Sequence, residues 1–371
     1  MTEKSDKNQN KDRLALVGKT KHRPSPKGGR ERFFGKRRTP LAKSAKYIHP
    51  VFAAIDLGTT NCRLLIATPT PTGFGVKETF SRITRLGEGL ISDGVLSERA
   101  IKRTIYALKL CVKKLKKYKT VKTRFVATEA CRRAKNGAEF VERVKKETGL
   151  DFEIISFEEE CRLGVSGCVP LINRNIRYAV VFDIGGGSTE VSFAKIDKTN
   201  QVKIEGFLSF PLGVVTVSEA FTGKELSSAA YRAVVKKVLS YLQPFEDKYG
   251  IMRKIKQGEV QMIAMSGTVT TIGAFHLELP SYNRAVVDGM ALSYQDLTKA
   301  KRKLEKMTYA EKEAHPCIGM QRADLSLPGC AILQGICEMW PIGELTIADR
   351  GLREGIVLDL IRRENVQTGK K

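Results

Sequence analysis

The sequence predicts an α/β protein made of two related domains in tandem, and three observations point there. Residues 51–61 and 178–190 follow one plan: a buried-type strand ends in an aspartate (Asp56, Asp183), passes through a Gly and hydroxyl turn, and enters a second β-rich run. From residue 50 onward, strand-like runs alternate with helical patterns, the signature of α/β architecture. The 371 residues are 42% hydrophobic, enough for two full cores.

The elements follow in order. Apolar runs at 51–56 and 63–67 flank the first turn, and further strands are expected at 123–128 and 151–156. Between them lies a helix over 97–118, in which Ile101, Ile105, Leu108, Val112 and Leu115 recur at spacings of four and three and make one apolar stripe. Lys109, Lys113, Lys114, Lys116 and Lys117 fall mostly outside that stripe, as a solvated face or as a basic wall for a polyanion. A helix over 137–148 and another beginning near Glu158 lead to the second turn. The pattern then repeats, with strands at 178–183, 190–196, 202–210 and 260–265 and helices at 214–221, 225–247, 268–277, 294–307 and 326–340. A last helix, 351 to about 363, carries Ile356, Leu358 and Ile361 among charged neighbours. The expected organisation is a basic disordered arm (1–49), a first domain (50–157) completed by the C-terminal helix (352–364), a second domain (158–351) and a disordered tail (365–371).

The turns suit phosphate. Glycines Gly58, Gly185, Gly186 and Gly187 let successive backbone N–H groups converge into an anion-binding nest, and Thr59, Thr60, Asn61 and Ser188 add side-chain donors. A carboxylate beside phosphate would repel it, so the aspartates make sense there as holders of a hard cation such as Mg²⁺. A single such turn equally suits a tight hairpin; two with the same order argue for binding. No Gly-Lys-Ser/Thr follows either turn, so neither is a Walker loop. Ser266, Gly267 and Thr268, after the 260–265 strand, form a third turn of this type, with a plain strand-to-helix cap as the alternative.

Composition narrows the partners. Lys and Arg number 64 against 40 Asp and Glu, a net charge of +24 that favours a polyanionic substrate or partner. Residues 1–49 hold 15 Lys or Arg against four acids (Glu3, Asp6, Asp12, Glu31), a net of +11, so the body keeps +13. The arm reads as disordered and suited to touching RNA, anionic lipid or the substrate itself, or simply as a solubilising tail. No apolar run approaches the roughly 18 residues of a membrane span, and the N-terminus lacks a secretory apolar core. Eight cysteines without a CxxC pair read as reduced, mostly buried thiols, which suits a cytoplasmic protein. Four scattered histidines rule out zinc-finger spacing.

Paired Asp-Gly-hydroxyl turns on duplicated α/β domains resemble the actin-like (ribonuclease H-like) phosphotransferase superfamily, in which two phosphate turns face each other across a cleft. Further blocks at 127–136, 153–163, 265–268 and 348–355 resemble, in order and spacing, the exopolyphosphatase/guanosine pentaphosphate phosphohydrolase (Ppx/GppA) family over about residues 50–364. The first turn departs from the family's common Asp-x-Gly-Ser-Asn-Ser by carrying Thr59-Thr60-Asn61 after its glycine, and the helical C-terminal domain of long members is not expected here.

The resemblance implies a Mg²⁺-dependent hydrolase, with Mn²⁺ as an alternative ion, that removes the terminal phosphate of inorganic polyphosphate, guanosine pentaphosphate or both. It places the catalytic base at Glu160 and a phosphate-binding arginine at Arg132, with Asp56, Asp183 and Glu190 around the cation directly or through water. From helix chemistry alone, the run Glu158-Glu159-Glu160 also suits the positive end of a helix dipole. Two other readings stand beside it: an actin-like ATPase or chaperone nucleotide-binding domain, and a catalytically silent polyphosphate or nucleotide sensor with an RNA-binding arm. The 127 residues separating Asp56 and Asp183 are short for the chaperone domain, and intact Glu160, Asp183 and Glu190 speak against silence. A homodimer is left open.

Overall fold

Two β-hairpins of the same register organise the chain. In a computed structural model that describes residues 50–118, 121–199, 201–221 and 226–367, β1 (Val51–Leu57) pairs antiparallel with β2 (Asn61–Thr70), setting Asp56 opposite Arg63. β6 (Tyr178–Ile184) pairs with β7 (Thr189–Ile196) in the same manner, setting Asp183 opposite Glu190. The expected arm (1–49) and the end of the expected tail (368–371) lie outside the described residues.

Each hairpin seeds a mixed sheet. In the first, β2 is followed by antiparallel β3 (Gly73–Ile83), while β4 (Val121–Ala127) and β5 (Phe152–Ile154) add in parallel, giving the order β3-β2-β1-β4-β5. The second repeats this with β8 (Val202–Phe210) antiparallel to β7, then β9 (Val260–Ala264) and β11 (Glu344–Ile347) parallel beyond β6; β10 (Ala291–Ser293) closes the edge. β3, β10 and β11 were not expected. β3 is a largely polar, exposed edge behind Gly73 and Gly75, and β10 and β11 have only three and four residues, so none shows a buried-strand pattern.

The first lobe carries α1 (Leu90–Asp93), α2 (Glu98–Leu115), α3 (Glu129–Arg133) and α4 (Gly137–Thr148). α2 starts where the Ser97 hydroxyl accepts from Ala100 N (3.3 Å) and buries Ile101, Ile105 and Leu108 from the expected stripe. Lys114 and Lys117 pair with Glu78 of β3 (2.6 and 3.2 Å) and Lys109 with Glu147 (3.2 Å), so much of the supposed basic wall is neutralised.

The second lobe carries α5 (Phe157–Cys168), α6 (Val214–Ala220), α7 (Ser228–Tyr249), α8 (Ile251–Lys256), α9 (Gly267–His276), α10 (Arg284–Val287), α11 (Tyr294–Lys306), α12 (Tyr309–Ala314) and α13 (Ser326–Met339). Its core joins Phe182, Val191 and Met262 of the sheet to Val238, Leu242, Ile332 and Ile336 of the covering helices and to Trp340, which follows α13. No helix among the described residues is long and apolar enough to cross a membrane.

α14 (Leu352–Gln367) returns to the first sheet, where Ile356, Val357 and Ile361 pack with Phe52, Ala54, Leu65 and Val126. Burial of such side chains contributes roughly 1.5–3 kcal/mol each. Two sequence expectations need correction here. Val357, not Leu358, is the buried neighbour of Ile356, and the helix runs on through residues 365–367, which were assigned to the tail. α5 and α14 cross between the two sheets at van der Waals distance: a Cβ on Gly355 would stand 1.9 Å from the Leu163 carbonyl oxygen, so only glycine permits the crossing.

Candidate active site

The two hairpin turns meet face to face. Gly58 N donates to Asn61 O (2.9 Å) and Gly185 N to Ser188 O (3.0 Å), so both turns close with the same hydrogen bond. A Cβ on Gly186 would fall 2.1 Å from Thr60 Oγ1, which shows how closely the second turn seats on the first. Beside this contact opens a cavity between the lobes. Asp56, Gly58, Thr59, Thr60, Asn61, Glu160, Asp183, Gly185, Gly186, Gly187, Ser188, Glu190, Ser266, Gly267 and Thr268 all line it.

Arg132 is placed differently. It stands behind the lining, its Nη1 and Nη2 each 3.2 Å from Glu160 Oε2, its Nη2 2.9 Å from Glu129 Oε2, and its Nη1 donating to Ile155 O (2.8 Å). In this conformation its fork is spent on carboxylates rather than turned to a ligand. The three glutamates opening α5 part because successive helical residues point about 100° apart. Glu158 is exposed, Glu159 is held by Arg162 and Arg124 (2.8 and 3.1 Å), and Glu160 alone reaches the cavity.

The carboxylates are crowded. Burial, and then the charge of Glu190, push the Glu160 carboxyl well above the usual range, against the pull of Arg132. Asp183 is raised to about 8 by burial and by Glu190, while Asp56 is raised by burial and held back by Arg63, 4.0 Å away. Glu190 is raised by burial despite accepting from Ser188 Oγ (2.5 Å) and Ser209 Oγ (3.0 Å). Ser188 was expected to offer its hydroxyl to phosphate; here that hydroxyl serves Glu190, leaving its turn's backbone for a ligand. Ser266 likewise caps α9, donating to Ile184 O (2.9 Å) and accepting from Thr268 N (3.1 Å).

Thr60 Oγ1 and Asn61 Oδ1 are buried without a partner, one a potential donor and the other an acceptor. Unsatisfied polar atoms beside crowded carboxylates fit a cation together with an anion. No three Asp, Glu, His or Cys side chains among the described residues stand close enough to enclose an ion by themselves. Mg²⁺ commonly takes one or two carboxylates and completes its shell with water and phosphate oxygens, so Asp56, Asp183 and Glu190 are the groups that would hold it.

Sequence reasoning missed the cations of the site. Arg63 sits at the register position that Glu190 occupies in the second hairpin, so aligning the two hairpins would have exposed it. Arg322 reaches the same cavity from the second lobe, donating to Thr271 Oγ1; burial and then Arg63 lower its pKa. Both guanidinium groups approach the N-terminus of α9: a Cβ on Gly267 would lie 3.0 Å from Arg63 Nη2 and 4.0 Å from Arg322 Nη2. Nothing in the local pattern around Arg322 announces it. Glu354, in the 348–355 block, accepts from Gly351 N (2.9 Å) at the start of α14 and pairs with Arg284 (3.0 Å) and Arg353 (2.9 Å).

Comparison with known proteins agrees with this architecture. The chain is 26% identical over 315 residues to the guanosine-5'-triphosphate,3'-diphosphate pyrophosphatase of Vibrio parahaemolyticus, an alignment covering 84% of this chain and 59% of that protein. It thus spans less than two thirds of the length of the curated relatives it matches. The crystal structure of the Aquifex aeolicus Ppx/GppA family member is 28% identical, with a TM-score of 0.67 over 85% of this chain and 99% of that one. An exopolyphosphatase from Cytophaga hutchinsonii, 22% identical, shares the fold with a TM-score of 0.76 over 84% of this chain and 98% of its own. The two-domain actin-like α/β fold expected from the paired turns is the fold of these structures. With residues 74–364 matching the family's sequence pattern, the chain belongs to the Ppx/GppA phosphatase family.

Proposed function

We propose that the protein is a Mg²⁺-dependent phosphoanhydride hydrolase that removes the terminal phosphate of inorganic polyphosphate, of guanosine pentaphosphate, or of both. The observation that carries this reading is the meeting of two glycine-hydroxyl turns with the crowded carboxylates Asp56, Glu160, Asp183 and Glu190 and with the guanidinium groups of Arg63 and Arg322 around one cavity. Hydrolysis of a phosphoanhydride needs charge neutralisation, an in-line water and a group to take the water's proton.

In this reading the two turns hold the terminal phosphate through their backbone N–H groups. Glu160 takes a proton from a water as the water oxygen bonds to phosphorus and the bridging P–O bond breaks, the electron pair leaving with the shortened chain. Arg132, bonded to both Glu160 and Glu129, fixes the direction of the Glu160 carboxylate. Arg63 and Arg322 meet the charge of the phosphates that follow. Mg²⁺, held through Asp56, Asp183 or Glu190, would neutralise charge on the phosphate oxygens.

The test is phosphate release from long-chain polyphosphate, tripolyphosphate, guanosine pentaphosphate and ATP, with and without Mg²⁺, with Glu160→Gln as control. Release from polyphosphate or the pentaphosphate that vanishes in the variant supports the reading. Release from ATP alone, or from nothing, would replace it with an ATPase or a silent sensor.

A further inference from the structure

The chain between β3 and α2 is hydrogen-bonded to the first turn. Thr84 N and Arg85 N donate to Thr60 O (2.8 and 2.9 Å) and Gly87 N donates to Thr59 O (3.0 Å), so this strap moves with the carbonyls of the turn. Arg103 of α2 fixes its near end, donating to Thr84 O and to Arg85 O (2.9 Å) and pairing with Glu88 (2.7 Å).

Arg85 lies in the left-handed region at φ 45°, which costs a non-glycine residue on the order of 1 kcal/mol and persists only where surroundings impose it. Its backbone is held within its own lobe by Thr60 and Arg103, and its side chain is held by the other lobe. Arg85 Nη1 and Nη2 meet Asp324 Oδ2 and Oδ1 at 3.0 and 2.7 Å, fork to fork, and Nη2 also donates to Gln321 O (3.0 Å). Asp324 sits in a 3-10 turn (Ala323–Leu325), two residues from Arg322 of the cavity. Gly89 N adds a second tie, donating to Glu219 Oε1 of α6 (3.0 Å). Thr59 and Gly87 on one side and Gly187 and Val215 on the other line one narrow crevice, so the strap overlies the junction of the two turns.

We propose that Arg85 and Asp324 form a latch across the cleft, which holds the lobes closed and, through the strap's hydrogen bonds to Thr59 and Thr60, sets the position of the first turn. Exposed ion pairs contribute little, but this one is bidentate and its side chains are only 26% and 20% exposed. Arg85 is thus a positioning residue, acting on the turn through the backbone it shares with it.

Hydrogen exchange read by mass spectrometry on the full chain tests the latch without reference to catalysis. Asp324→Asn and Asp324→Ala, in the second lobe, are expected to speed exchange of the Arg85 and Gly87 amides in the first by on the order of tenfold, the loss of a charge-assisted pair, while β1 amides keep their protection. Arg85→Ala combined with Asp324→Ala should exchange no faster than the quicker single variant. Unchanged strap exchange in both Asp324 variants, or independent effects that multiply in the double variant, would overturn the proposal. If Asp324→Ala does not fold, Asp324→Asn carries the test alone.

Discussion

Arg132 grips Glu160 with both ends of its guanidinium, 3.2 Å from each Nη to the same carboxylate oxygen, while Nη2 also holds Glu129 at 2.9 Å. The one glutamate of its run that enters the cavity is therefore oriented by a residue outside it. Glu160→Gln should lower kcat by about 10²–10⁴ with substrate binding still measurable by calorimetry; near-normal turnover would remove Glu160 from the role of base.

Arg132→Ala gives a prediction of definite sign. Arg132 pulls the Glu160 pKa down against burial and Glu190, so removing it raises that pKa further. A base must be deprotonated to act, so the acidic limb of the kcat/KM profile should move to higher pH. A limb that stays in place, or moves to lower pH, would mean that Glu160 does not control it.

Asp183 ties stability to pH and metal. Its carboxyl is raised to about 8 from an ordinary value near 3.8, so folding favours its protonated form. The stabilisation is full below the unfolded value and is lost as pH rises through about 8. Metal-free protein should melt at lower temperature at pH 8.5 than at pH 6, and Asp183→Asn should recover roughly 3–8 °C at the higher pH. Added Mg²⁺ should raise the melting temperature of the wild-type chain more than that of the variant. Equal Mg²⁺ shifts in the two would separate Asp183 from the cation.

Gly355 is a steric prediction. With a Cβ only 1.9 Å from the Leu163 carbonyl oxygen, Gly355→Ala forces α5 and α14 apart and should cost at least about 2 kcal/mol in urea unfolding. An alanine at Gly149, a helix end at φ 74° with nothing within 4 Å, is the control for backbone strain without a clash. Equal losses in the two would show that the helix crossing tolerates separation.

The basic arm is tested by deletion of residues 1–45. Turnover of short substrates should be unchanged, while binding to long polyanions should weaken and lose part of its salt dependence. An unaltered salt slope would make the arm a spectator.

Much of the fold could be read from the sequence because its signals are local. Asp56 and Asp183 each end an apolar strand before glycine and hydroxyl residues, and that plan located both hairpins, while apolar patterning located the longer helices near their observed bounds. β3, β10 and β11 escaped because a largely polar edge strand and strands of three or four residues leave too little periodicity. The turn residues named from sequence do line the cavity, and Glu160 joins them, although helix-dipole chemistry alone gave no reason to choose it over Glu158 or Glu159.

The sequence by itself determined the local chemistry: where the glycine and hydroxyl turns fall, which carboxylates end strands, and where most of the longer helices run. These depend on residues within a few positions of one another. Tertiary structure alone decided that Arg132 pairs with Glu160 and Glu129, that Ser188 serves Glu190, that Arg63 and Arg322 arrive from opposite lobes, and that Arg85 reaches Asp324. Such pairings join residues far apart in the chain or turn on the direction a packed side chain takes, and only the folding of two lobes onto one cleft brings them within reach.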